Sequence, residues 1–223
     1  MTVILMLTMF AIFLTIDYLK KGKEAARTAE AAEEAAGVVP RAIAQIVAGF
    51  ELPANRRYHP GHTWALQESP TFVRVGLDDF GARLAGKIDS IALPKRGQWI
   101  RQGQKFATLM RDGQKAELVS PVEGEVTSVN DELLNDASLL NADPYGKGWF
   151  VSVVSPDLTT SFRNLLNGTL ARRWMAEAAS RLQMQIPALA GAVSQDGGVA
   201  VHDLTVHLPT TKWAEVTREF FLT

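Results

Sequence analysis

"RDGQKAELVSPVEGEV", residues Arg111 to Val126, is the stretch whose reading decides the fold. Asp112-Gly113 is a favoured two-residue hairpin turn, because Gly takes positive φ without a steric cost. The runs "KFATLMR" and "KAELVSP" on either side are β-forming, which predicts a tight hairpin. Lys115 falls close to its tip, two residues to the C-terminal side of the turn.

The same texture extends in both directions. From Tyr58 to about Val154 the chain is a series of short β runs, also including "TFVRVGL", "KIDSIAL", "GEVTSVN" and "WFVSVVS", separated by Gly, Pro, Asn and Asp. "DDFGARLAG" (Asp78 to Gly86) has an acidic start, helical apolar spacing and a closing Gly, so one short helix is expected there. "GKIDSI" (Gly86 to Ile91) is echoed by "GEVTSV" (Gly124 to Val129). Two copies are too few for a solenoid but suit a barrel or sandwich with pseudo-twofold halves. After Pro156 the spacing turns helical, with two helices broken at Asn167-Gly168. "AVSQDGGVAVHDLTVHLP" then reads as strand, Asp-Gly turn and strand, and "TKWAEVTREFFL" as a closing short helix.

The N-terminal part is different. "TVILMLTMFAIFLTI" (Thr2 to Ile16) is an uncharged run of 15 residues, followed by Lys20, Lys21 and Lys23. Nothing basic precedes the run, the reverse of a cleavable signal peptide. The lysines keep the C-terminal bulk in the cytoplasm by the positive-inside rule. Residues 1–19 are therefore expected to be a transmembrane anchor in the inner (cytoplasmic) membrane, single-pass. "KKGKEAARTAEAAEEAAG" (Lys20 to Gly37) has no large apolar residue, as a solvated helical spacer would. The whole of 20–53 is read as an Ala/Glu-rich helical linker, although "VVPRAIAQIVAGFELP" (Val38 to Pro53) is apolar enough to dock.

Composition narrows the function. A net charge of −1 provides no basic field, so nucleic acid is a poor partner. The absence of Cys removes disulfides, Cys-ligated zinc, iron–sulfur clusters and thiol catalysis together.

Four segments carry a resemblance to a known family: "HTWALQE" (His62 to Glu68), "VGLDDFGARLAGKIDSIALPKRGQWIRQGQ" (Val75 to Gln104), "SPVEGEVTSVND" (Ser120 to Asp131) and "LLNADPYGKGW" (Leu139 to Trp149). From Tyr58 to Asp157 the chain resembles the H protein of the glycine cleavage system. The resemblance implies a barrel-sandwich hybrid of two pseudo-symmetric β halves. It also implies a hairpin-tip lysine that carries lipoic acid, whose arm shuttles an aminomethyl group and electrons between partner enzymes. In the family pattern that lysine lies eight residues before the Pro of P-V-x-G-E and ten after a turn Gly. Counted from Pro121 and from Gly103, both rulers end on Gly113. The resemblance thus puts Gly113 at the attachment position and leaves Lys115 displaced along the strand. The acidic residues that precede the family's lysine are replaced by Met110, Arg111 and Asp112.

Other candidates are weaker. "GARLAGKI" (Gly81 to Ile88) has phosphate-loop spacing, but Ile88 replaces the Mg²⁺-binding hydroxyl and a strand is expected to follow. The histidines pair as His59/His62 and His202/His207, short of the three or four ligands zinc takes. His207 with Asp203 has no recognisable nucleophile nearby in sequence, and Ser155 and Ser194 lack an elbow motif. Of the five Trp, Trp174 and Trp213 on the tail helices are read as packing residues, with an exposed docking patch as the alternative.

The expected architecture is mainly β: a barrel-sandwich hybrid over 54–157, behind an anchor (1–19) and linker (20–53), with a small α+β appendage over 158–223. The expected function is a non-enzymatic binding or scaffold module with no cofactor and with protein partners in a membrane or redox complex. Two alternatives are a lipoyl carrier modified at Lys115 and a structural subunit of a membrane complex.

Overall fold

A computed structural model of the protein describes residues 44–185, 204 and 212–223. Eleven strands and six helices follow one another there. They are β1 (Ala44–Val47), β2 (Phe50–Pro53), β3 (Arg57–Tyr58), β4 (Thr63–Gln67), β5 (Phe72–Leu77), α1 (Asp79–Ala85), β6 (Ser90–Ala92), β7 (Trp99–Ile100) and β8 (Lys105–Arg111). Then come β9 (Gln114–Val119), β10 (Gly124–Val129), α2 (Asp131–Asn135), α3 (Leu139–Ala142), β11 (Trp149–Val154), α4 (Leu158–Arg163), α5 (Gly168–Gln185) and α6 (Trp213–Phe221). The described residues all fall in one compact unit.

Two antiparallel sheets make the body, one ordered β3-β4-β5-β11-β10-β7 and the other β6-β8-β9. Alternation along β5 buries Val73 and Val75 and leaves Phe72 and Arg74 outward. Val151 and Val153 pair beside those valines on β11, and Phe106, Leu109 and Leu118 are buried from the second sheet. Each such side chain contributes about 1.5–3 kcal/mol by leaving water. The rings of Phe106 and Phe150 lie 6.3 Å apart between the sheets, and Thr63 Oγ1 donates to Val119 O at 2.9 Å. The two echoed segments enter different sheets, through β6 and β10, as halves of a pseudo-symmetric body would.

The glycine of P-V-x-G-E-V has a steric reason. Gly124 sits at φ 157°, and a Cβ there would lie 2.2 Å from the carbonyl oxygen of Val154 on the paired strand. No rotamer change relieves a backbone clash of that kind, so only Gly lets β10 approach β11.

One buried polar pair organises the helices. His62 Nδ1 lies 2.9 Å from Asp78 Oδ2, and both side chains are fully buried. Asp78 Oδ1 accepts from the Gly81 amide at 2.7 Å and so caps α1, as the acidic start and closing Gly86 predict. Burial pushes the Asp78 carboxyl up, against the pull of His62 and of the Gly81 amide. The imidazole stacks on Phe80 at 4.2 Å and lies 4.6 Å from the Trp174 ring of α5 and 6.2 Å from Phe220 of α6.

Helix α6 is part of the core. Trp213, Val216, Thr217, Phe220 and Phe221 are buried, and Trp213 Nε1 donates to Ala85 O at 3.1 Å. Within 158–223, expected as a small α+β appendage, the described helices share one compact unit with the sheets, and the apolar face of α6 is covered there.

The linker expectation also changes at its end. Ala44–Pro53 is a hairpin, turning at Ala48 (φ 50°) and Gly49 (φ 88°), with Val47 opposite Phe50. Phe50 and Leu52 are buried, and this burial overrides the Ala-rich helical preference upstream. Among the described residues no helix is long and apolar enough to cross a membrane. The expected anchor (1–19), the linker up to residue 43 and the strand-turn-strand over 192–209 lie outside the described residues, apart from Leu204.

Two outcomes follow. Trp213→Ala empties a buried site and a hydrogen bond, so urea unfolding should show a loss of about 3–5 kcal/mol. His59 accepts the Gly61 amide at Nδ1 (3.0 Å), and burial, then His62, hold it down at about 4. A depressed His binds fewer protons folded than unfolded, so its contribution is complete above pH 6.5 and is lost as pH falls towards 4. The stability difference between the parent and His59→Gln should therefore change by on the order of 2 kcal/mol between pH 7 and pH 4, measured by chemical unfolding.

Candidate functional site

The hairpin expected at Asp112-Gly113 forms. Arg111 pairs with Gln114, and between them Asp112 (φ 48°) and Gly113 (φ 74°) make the two-residue turn with both φ positive. The tip is open: a Cβ built on Gly113 meets nothing within 4 Å. The obstacle to a side chain there is therefore backbone conformation and not space, a cost of about 1–2 kcal/mol for an L residue.

Lys115 lies on β9 opposite Met110 and is exposed. Strand alternation places it on the opposite face from Gln114 and Ala116. Its neighbour on that face, Glu117, is engaged with Lys105, and no carboxylate is paired with Lys115 among the described residues.

The tip is clamped from behind. The Asp112 amide donates to Asp89 Oδ2 at 2.7 Å, and the Asp89 amide donates to Met110 O at 2.8 Å. Arg111 lies over the Trp213 ring at 5.9 Å and donates from Nη1 to Ala85 O at 3.3 Å. Gln114 Oε1 accepts from the Ala214 amide at 3.3 Å, at the start of α6. This clamp leaves no signal in the sequence, since Gln114 and Ala214 are 100 residues apart and neither sits in a motif.

The remaining candidates take structural places. "GARLAGKI" runs through α1, so a helix precedes Lys87, whereas a phosphate loop has its helix after the Lys. His59 and His62 are held by the contacts above, and no group of three His, Asp or Glu able to hold a metal occurs among the described residues. His202, Asp203, His207 and Ser194 lie outside the described residues. Ser155 is buried, and its amide donates to Thr71 O at 2.9 Å. Trp213 is buried and Trp174 half-buried, which favours packing over docking; the exposed Trp is Trp99, on β7.

The matched segments are those that hold the body together. In "HTW", His62 binds Asp78, Thr63 reaches Val119 O, and Trp64 Nε1 donates to Leu77 O at 2.9 Å. In "NADPYGKGW", the Asp143 carboxylate accepts the amides of Gly146 and Lys147, both at 3.0 Å. Tyr145 Oη donates to Glu51 O at 2.7 Å and accepts from the Asp79 amide at 3.2 Å. In "SPVEG", Ser120 Oγ donates to Val122 O at 2.7 Å.

Comparison with known proteins agrees. The family model for the glycine cleavage H-protein matches residues 56–178. A probable glycine cleavage system H protein of Natronomonas pharaonis is 39% identical over 104 residues, covering 47% of this chain and 82% of that protein. The glycine cleavage system H protein of Mycobacterium avium is 31% identical over 130 residues, covering 57% and 98%. A crystal structure of the H protein from Mycobacterium marinum, at 25% identity, covers 56% of this chain and 98% of that one with a TM-score of 0.49. With the match spanning more than half of its length, the chain belongs to the glycine cleavage H-protein family.

Proposed function

We propose that this protein is an H-protein-like module without the lipoyl lysine, tethered to the cytoplasmic membrane by residues 1–19 and acting as a non-catalytic scaffold. The observation that supports this reading is the tip itself. Asp112 and Gly113 occupy the turn, and the position counted from both Pro121 and Gly103 carries no side chain. Its protein partners would belong to a membrane or redox complex. Tethering would raise a bound partner's effective concentration at the membrane without any chemistry.

A second reading has its own observation. Lys115 is exposed and has no ion-pair partner among the described residues, so its amine could take lipoate if a ligase accepts a lysine two residues along the strand. The protein would then be a carrier, with lipoate as its cofactor.

Intact mass of the protein purified from its native cells separates the two. An unmodified mass is expected, in cells whose other lipoyl proteins are modified. A lipoyl increment that disappears in Lys115→Arg would establish the carrier reading instead. Gly113→Lys should gain the increment in the same cells, because it returns an amine to the tip where the turn leaves open space.

A further inference from the structure

We infer that a cleft between β3, the β4–β5 turn and α4 binds a small organic anion, a carboxylate on a short apolar body. The cleft has a volume of about 320 Å³, within the range of small-ligand sites. Two guanidinium groups line it, those of Arg57 on β3 and Arg163 at the end of α4. Neither has a carboxylate within ion-pair distance among the described residues. Asp157, the N-cap of α4, accepts the Thr160 amide at 3.0 Å and the Thr160 hydroxyl at 2.6 Å, and the Arg163 charge adds a smaller attraction without an ion-pair contact.

The walls are mixed. Phe162 and Pro70 are apolar, whereas Gln67 and Thr159 add an amide and a hydroxyl. Arg57 lies 5.1 Å over the Phe162 ring, which holds its planar fork in place before any ligand arrives. A carboxylate suits such a fork because two N–H groups meet two oxygens, and the ring provides cover for the hydrocarbon behind it.

The two arginines come from distant parts of the chain, and the backbone joins them rigidly. Tyr58 and Leu166 exchange both bonds of an isolated bridge, at 2.9 and 2.8 Å. Gln102 donates to Ser161 O at 2.7 Å and accepts from Asn164 Nδ2 at 2.8 Å. β3 and α4 are thus fixed on either side of the cleft, and the site needs no closure to form. It is independent of whether Lys115 carries a group.

The test is an NMR titration of the full chain in non-ionic detergent with hexanoate, inorganic phosphate and hexylamine, following the amides of Thr159 and Phe162. Hexanoate should shift them saturably, phosphate should bind more weakly, and hexylamine should leave them unmoved. Arg57→Gln and Arg163→Gln should each weaken hexanoate binding about tenfold or more. Unchanged melting temperatures would show that the fold is retained. The inference is overturned if hexanoate produces no saturable shift, if hexylamine competes with it, or if the double variant binds as the parent does. Phosphate binding as tightly as hexanoate would overturn the choice of ligand.

Discussion

Asp78 is a carboxylate with no access to water, and much of the described fold can be traced to satisfying it. Its two oxygens take the His62 ring and the amide that starts α1. Its own amide donates to His62 O at 2.9 Å, and His62 holds a φ of 64°. That backbone conformation costs about 1–2 kcal/mol for a residue other than Gly, so the pair must hold the turn in place. The imidazole edge turned away from Asp78 meets no polar partner among the described residues, and Phe80, Trp174 and Phe220 lie around the ring. The cover that keeps water from this pair is contributed by α5 and α6, so the helices and the sheets are mutually dependent.

The same cover reaches the hairpin. Trp213 at the start of α6 shares the Ala85 carbonyl with Arg111, and Gln114 receives the next amide. The family match ends at residue 178, yet α6, beyond that limit, supports the Asp112-Gly113 turn. Residues beyond the match therefore belong to the architecture of the tip.

Much of the fold was legible beforehand because its signals are local. Asp112-Gly113 between β-forming runs is a hairpin by backbone sterics alone, and it forms at those residues. Asp78 to Gly86 has a capping carboxylate and a terminating Gly, and α1 lies between them. The break at Asn167-Gly168 separates α4 from α5, with Gly168 at φ 50°. Ala48-Gly49 lacks the Asn or Asp that marks such turns, so the β1–β2 hairpin was hidden within an Ala-rich segment.

By itself, the sequence determined strands β5, β6 and β8 to β11, the cap of α1, the family and the glycine at the tip, because each depends on residues within a few positions of one another. Tertiary structure alone decided what lies behind and beside them. The burial of Trp213 against Ala85, the grip of Gln114 on α6 and the placing of Arg57 and Arg163 on one cleft each join segments about 100 residues or more apart. No periodicity or spacing records such a contact. It depends on which faces are left to cover once the two sheets have closed, and that is settled only when the whole chain packs.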